Sequence, residues 1–269
     1  MSDFSCAVTA ASSCIGPIIP PSVPMIMAAT MTGLSVSKMF VAGMVPGILM
    51  GLGMIFVSWY ISKKRHYPKA ERRSTLKEVL VSAKESFFAI LMTLIILSGI
   101  CFGFVTPTEA SILAVVYGIF VGFFIYKELT IPRLIESMKS TVTSSAGIMV
   151  LVGMANVFAY ILTKEQIPQM VADAMLSLTS NKYIILILIN LLLVFVGMFM
   201  ETIAAILILF PVLLNLVLMV GVDPIQFGVM VVLNLVLGLC TPPVGVCLFA
   251  ATNIGETKLT GVVKELIPY

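Results

Sequence analysis

Apolar runs about as long as a bilayer is thick, joined by short polar links, fill most of this chain. A hydrocarbon core about 30 Å thick takes roughly 20 residues of helix to cross. On that measure the pattern predicts spans at approximately 4–31, 39–61, 86–105, 109–126, 143–163 and 226–252, with an apolar pair at 183–199 and 202–220. Prolines interrupt the first and last spans. Each run of the pair is marginal for a full crossing, and Glu201 and Thr202 lie between them. Either the pair is a re-entrant hairpin with Gly197 to Thr202 at its tip, or it is two short spans joined by a turn with Glu201 at the interface. Both readings give an all-α integral membrane protein: a polytopic helical bundle forming one transmembrane domain over 1–269.

Composition agrees with the pattern. Of the 269 residues 59% are hydrophobic and 11% charged, against about 25% charged in soluble domains. The mean hydropathy of +1.12 makes lipid the solvent for most of the surface. Charge then orients the bundle. Eight of the sixteen Lys and Arg residues fall between Lys63 and Lys84, so 62–85 is expected to be a cytoplasmic basic loop, because Lys and Arg accumulate on that side. Its end, Ser74–Glu85, reads as an amphipathic interfacial helix with Leu76, Val79 and Leu80 on one face. The 104–110 loop and the loop around Asp223 carry no basic residue and are expected outside. The KELTIPRLIESMKS loop and the tail with Lys258 and Lys264 are expected inside. Trp59 and Tyr60 close the second span at headgroup level.

Several polar residues read as structure. Thr106, Pro107 and Glu109 fit an N-cap, a first helical position and a capping box, and Asp223-Pro224 repeats the logic. The five cysteines (Cys6, Cys14, Cys101, Cys240, Cys247) lack metal-ligand spacing and read as small buried hydrophobes. The one histidine, His66, sits in the basic loop. No basic n-region with an apolar core marks a cleavable signal at the start. There is no paired carboxylate, Ser-Lys pair or intramembrane His, so no enzyme is expected. A net charge of +3, with its basic residues beside membrane spans, suggests no nucleic-acid partner.

The most informative feature is an internal repeat. IPPSVPMIMAATMTG at 19–33 aligns without gaps with TPPVGVCLFAATNIG at 241–255, an offset of 222. Pro20, Pro21, Ala28, Ala29, Thr30 and Gly33 recur as Pro242, Pro243, Ala250, Ala251, Thr252 and Gly255; Gly16 recurs as Gly238 and Pro46 as Pro268. An odd number of crossings separates the copies, so they run oppositely through the membrane. Inverted repeats with proline-broken helices in matching positions point to a secondary-transporter site near the midplane. Proline removes a donor and frees carbonyls of the preceding turn. Such backbone cannot face lipid and must line a protein-enclosed cavity. Freed carbonyls with the hydroxyls of Ser12, Ser13, Ser22 and Thr241 are hard oxygen ligands suited to sodium. The amino end of each resumed half-helix suits an anion.

AASSCIGPIIPPSVPM (10–25), FVTPTEASILAVVYG (104–118) and the run GMFMETIAAILILFPVLL through DPIQFG to TPPVGVCLFAA (197–251) resemble the large permease subunit of tripartite ATP-independent periplasmic (TRAP) transporters. The resemblance implies a sodium-driven, elevator-type importer of organic acids in the bacterial cytoplasmic (inner) membrane. It implies discontinuous helices, a re-entrant hairpin at 183–220, a small membrane subunit and a periplasmic binding protein as partners, a carboxylate substrate, and no cofactor beyond sodium as the coupling ion. Mapped by motif, one sodium site would use Gly16, Ile19 and Pro21, and the other Gly197, Gly238, Thr241 and Val244. Ser12, Ser13, Ser22, Glu201 and Thr202 would face substrate. Compared with the complete subunit, the chain reads as a fragment lacking the first half and the last scaffold helix.

Overall fold

A computed structural model describes residues 2–65, 67, 75–179, 181–243 and 245–269. Among these all the regular structure is helical. The helices are α1 (Ser2–Ser13), α2 (Val23–Thr32), α3 (Val36–Lys64), α4 (Leu76–Glu85), α5 (Phe87–Cys101), α6 (Pro107–Phe120), α7 (Ile131–Lys164), α8 (Ile167–Leu178), α9 (Lys182–Gly197), α10 (Thr202–Met219), α11 (Pro224–Gly238), α12 (Val246–Ile254) and α13 (Leu259–Leu266). A π-helical turn at Val121–Ile125 extends α6. Four of the described helical stretches are long and apolar enough to cross a membrane, and α4 with α5 makes a fifth if that pair, bent by 60°, is one span. The chain forms two compact units, Met1–His66 with Leu151–Tyr269, and Tyr67–Val150, where the sequence reading treats it as one.

In the 67–150 unit, local chemistry sets the helix starts. Thr75 and Thr106 each accept a hydrogen bond from the N–H of the glutamate three residues on, and Glu78 and Glu109 reach back to the threonine N–H. These are reciprocal capping boxes, and Pro107 occupies the first turn as expected. The amphipathic segment is helical from Leu76, with Leu76, Val79 and Leu80 all exposed. α5 packs on α6, and Tyr117 donates to the Phe88 carbonyl at 2.9 Å. Most of the basic loop, His66 included, lies outside the described residues. One expectation is corrected: from Ile131 the KELTIPRLIESMKS segment is the first part of α7 and not a loop. A lipid-length hydropathy window misses it because its polar residues interrupt the apolar run without breaking the helix.

The other unit contains the repeat. The first span divides into α1 and α2 around 14–22, and the last into α11 and α12 around 239–245. Asp223 caps α11, accepting from the N–H groups of Ile225 and Gln226 at 2.9 Å. Adding the offset of 222 to the start of α1 gives Pro224, the second helical position's counterpart being Ile225, and α2 and α3 map onto α12 and α13. The packing is reciprocal. α1 lies on α12 and α13, while α11 lies on α2 and α3. A contact scheme in which each first helix packs on the other copy's second and third helices is that of a two-fold axis. The core sits on this axis: Ala7, Ala10, Met25, Ala28, Met39, Phe227, Val231 and Leu235 are at most 1% exposed. α9 and α10 pack on each other and both on α11, and α8, which hydropathy did not distinguish, packs on α10.

Candidate functional site

Two loops and one helix junction define the site. In the first break, α1 ends in tight turns: Cys14, Ile15 and Gly16 donate to the carbonyls of Ala11, Ser12 and Ser13. Both Ile18 and Ile19 then donate to Ile15. Among the described residues no backbone N–H bonds to the carbonyls of Gly16, Ile19 or Pro21, which leaves the three residues expected for the first ion site with open oxygens. α3 makes room for this loop with glycine. A Cβ on Gly47 would lie 2.6 Å from Ile19 Cγ1, and one on Gly43 3.3 Å from the Ile18 carbonyl oxygen. The hydroxyls of Ser12 and Ser13 donate to Thr9 and Ala10 carbonyls of their own helix, and both residues are exposed.

Ser22 has a different task from the substrate contact expected of it. It is fully buried, caps α2 by accepting from the Met25 N–H at 3.2 Å, and donates to the Pro17 carbonyl. Both hydrogen-bonding capacities of the hydroxyl are engaged inside the loop, so it holds the break closed on itself.

The second break differs in detail. Leu239, Cys240 and Thr241 donate to Val236, Leu237 and Gly238, so the Gly238 carbonyl, expected to be freed, accepts a bond from the Thr241 N–H at 3.0 Å. The Thr241 hydroxyl donates to the Leu237 carbonyl at 2.9 Å. Donating its proton there directs the oxygen lone pairs elsewhere, which suits a cation ligand. Val244 lies outside the described residues. Pro20–Pro21 and Pro242–Pro243 are both cis.

The structure brings Gly197 and Gly238 together. A Cβ on Gly238 would lie 2.2 Å from both the carbonyl carbon and oxygen of Gly197, and one on Gly197 would lie 3.1 Å from the Leu235 oxygen. The end of α9 therefore meets the break of α11 backbone to backbone, with no room for a side chain at Gly238. Among the described residues no backbone N–H bonds to the Gly197 carbonyl. The same helix pair carries a polar bridge the sequence reading missed: Asn234 donates to Asn190 and, at 2.7 Å, to the Met230 carbonyl. The 44 residues separating the two asparagines conceal the pairing from any local pattern.

Between the paired apolar runs, α9 stops at Gly197, two residues before the end of the run read from sequence, and α10 starts at Thr202, where the second run begins. Glu201 is the N-cap of α10, its carboxylate accepting from the Ala204 N–H at 3.0 Å. Thr202 is 3% exposed, and its Oγ1 is the buried side-chain oxygen without a hydrogen-bond partner among the described residues. An orphaned buried hydroxyl costs about 1–3 kcal/mol, which makes Thr202 a candidate contact for a ligand oxygen or ion. With α2 capped by Ser22 and α10 by Glu201, α12 is the half-helix whose N-cap, Gly245 (φ 41°), supplies no side-chain acceptor. In its first turn the Cys247 N–H donates to the Leu239 carbonyl at 3.0 Å, and no side chain caps the rest of its amino end, where the helix dipole favours negative charge.

The whole chain, 1–269, matches the family described as "Tripartite ATP-independent periplasmic transporter, DctM component". Among curated proteins it is 41% identical to a sialic acid TRAP transporter large permease protein of Vibrio cholerae, over 99% of this chain and 63% of that one. It is 42% identical to an isethionate TRAP transporter permease protein of Oleidesulfovibrio alaskensis, over 98% and 42%. To a C4-dicarboxylate TRAP transporter large permease protein of Pseudomonas aeruginosa the identity is 36%, over 99% and 62%. The chain thus spans between 42% and 63% of the length of these relatives.

Proposed function

This chain belongs to the DctM component family of tripartite ATP-independent periplasmic transporters, and from that premise we propose that it is the ion- and substrate-binding core of a sodium-driven importer of organic acids. It is a multi-pass protein of the bacterial cytoplasmic membrane, and a permease component, not an enzyme. The observation that supports the transport reading is the reciprocal packing of the two broken helices. A pair of breaks related by a two-fold axis sets interrupted backbone in opposite orientations across the membrane. That is the architecture alternating access requires.

In this reading one sodium ion is held by the open carbonyls of Gly16, Ile19 and Pro21. The other is held by the Gly197 carbonyl, the Gly238–Val244 break and the Thr241 hydroxyl. The α9–α10 pair is a re-entrant hairpin whose tip approaches the second break, and Thr202 at that tip, with Ser12 and Ser13, faces the substrate. Glu201, engaged as a cap, holds the tip in shape. The substrate is a carboxylate of the kind named for the relatives, such as sialic acid or a C4-dicarboxylate, its negative charge at the amino end of α12. A periplasmic binding protein delivers it, and a small membrane subunit completes the permease, which moves as an elevator.

Uptake of labelled sialic acid or C4-dicarboxylate into proteoliposomes holding the complete permease, with its binding protein outside, tests this. Accumulation should require an inward sodium gradient and collapse when potassium replaces sodium. Accumulation indifferent to sodium overturns the reading.

A further inference from the structure

The two breaks meet through sulfur. Cys14, the first residue past α1, and Cys240, two residues past the end of α11, have their Sγ atoms 3.1 Å apart. The Cys240 thiol donates to the Ala10 carbonyl at 2.9 Å and the Cys14 thiol to the Val236 carbonyl at 3.4 Å. Val236 is the repeat counterpart of Cys14, since 14 + 222 = 236. A contact between equivalent residues lies at the two-fold axis, so the thiols sit where the two copies cross. Both residues are buried and free, and Cys247 on α12 neighbours both sulfurs.

We propose that Cys14 and Cys240 are an oxidation site: a disulfide oxidant converts the two thiols into one disulfide that ties the first break to the second. The bond is short range, because the sulfurs need to close by only about 1 Å to reach a disulfide length near 2.05 Å. With an aromatic disulfide such as 4,4′-dithiodipyridine the steps balance. One cysteine thiolate attacks a reagent sulfur, forming a mixed disulfide and releasing one thiopyridone. The second cysteine attacks the protein sulfur of that mixed disulfide and releases the other. Two thiols are oxidised, one reagent disulfide is reduced, and the two thiol protons leave with the two thiopyridones. The bond rests on the geometry of the breaks alone. Its effect on uptake rests in addition on the transporter reading above.

The complete permease in membranes is treated with 4,4′-dithiodipyridine, digested without reductant and mapped by mass spectrometry. A peptide joining Cys14 to Cys240, two hydrogens lighter than its parts, is expected, and dithiothreitol should separate it. Pyridyl adducts on both residues, bonds from either to Cys247, or both thiols unreacted while Cys101 is modified would each overturn the site. In proteoliposomes the same treatment should abolish sodium-driven uptake and dithiothreitol should restore it. Uptake in Cys14→Ser and Cys240→Ser, whatever its starting level, should no longer respond reversibly to the reagent. A formed disulfide that leaves uptake unchanged refutes control of transport but not the bond, whereas uptake that never depends on sodium bears on the transporter reading instead.

Discussion

At the scale of single residues, two positions in the second break have opposite sensitivities. Thr241 offers a hydroxyl whose proton is already committed to the Leu237 carbonyl. In the proposed ion site, removing that oxygen leaves a cation one ligand short, a loss of about 1–3 kcal/mol for a buried polar partner, or roughly 5- to 150-fold in affinity at 1.4 kcal/mol per decade. Thr241→Val should raise the sodium concentration for half-maximal uptake in the complete transporter by that factor, and Thr241→Ser should raise it less. An unchanged sodium dependence in a well-folded Thr241→Val protein takes the hydroxyl out of the ion site. Gly238 fails for a different reason. Its absent Cβ would strike backbone, at 2.2 Å, which cannot rotate away as a side-chain tip can. Overpacking typically costs about 1–3 kcal/mol, and here α9 and α11 must separate. Gly238→Ala should lower the melting temperature in detergent more than Gly197→Ala, whose nearest clash is 3.1 Å; the reverse order contradicts the close approach.

Among elements, α9 against α11 is the contact that places Gly197 beside the second break. Lipid gives apolar helices little reason to prefer each other over acyl chains, so packing and interhelical hydrogen bonds decide. The Asn190–Asn234 bridge is such a bond. Asn234→Leu should cost about 0.6–2 kcal/mol of stability, measured as a lowered unfolding temperature with sodium affinity largely kept. A drop in sodium affinity as large as that of Thr241→Val would mean the bridge belongs to the ion site. Elements also show what the sequence could and could not disclose. The breaks, the caps at Thr106 and Asp223 and the gap between α9 and α10 were legible because proline, capping chemistry and lipid-length runs act within a few residues. α8, the start of α7, the cap role of Glu201, the inward turn of Ser22 and the Asn190–Asn234 and Cys14–Cys240 pairs were not. Each depends on which surfaces meet, and apolar periodicity carries little of that where nearly every residue is apolar.

For the whole molecule the two-fold relation makes a testable statement about sidedness. Lys38 and Thr260 are repeat counterparts, since 38 + 222 = 260, and both are exposed near the starts of α3 and α13. Inverted copies place them on opposite faces of the membrane. A cysteine at 38 should react with an impermeant maleimide in spheroplasts, and one at 260 only after permeabilisation, each judged against the unsubstituted chain. Equal reaction from one side would mean that the copies run in the same direction.

The reciprocal bedding of the two copies has a consequence in time. α1 is buried against α12 and α13, with Ala7, Ala10 and Ala11 at most 3% exposed, and roughly 230 residues separate it from them. At about 5–20 residues per second of synthesis, Ser2–Ser13 waits on the order of ten to fifty seconds between leaving the ribosome and meeting the surface that buries it. For that interval the first break, with its unpaired carbonyls, exists without the second. The insertion machinery, or whatever wet cleft it provides, must shelter an opened turn of helix until the last segments arrive. Of the two breaks, the earlier in synthesis is thus completed only by the later.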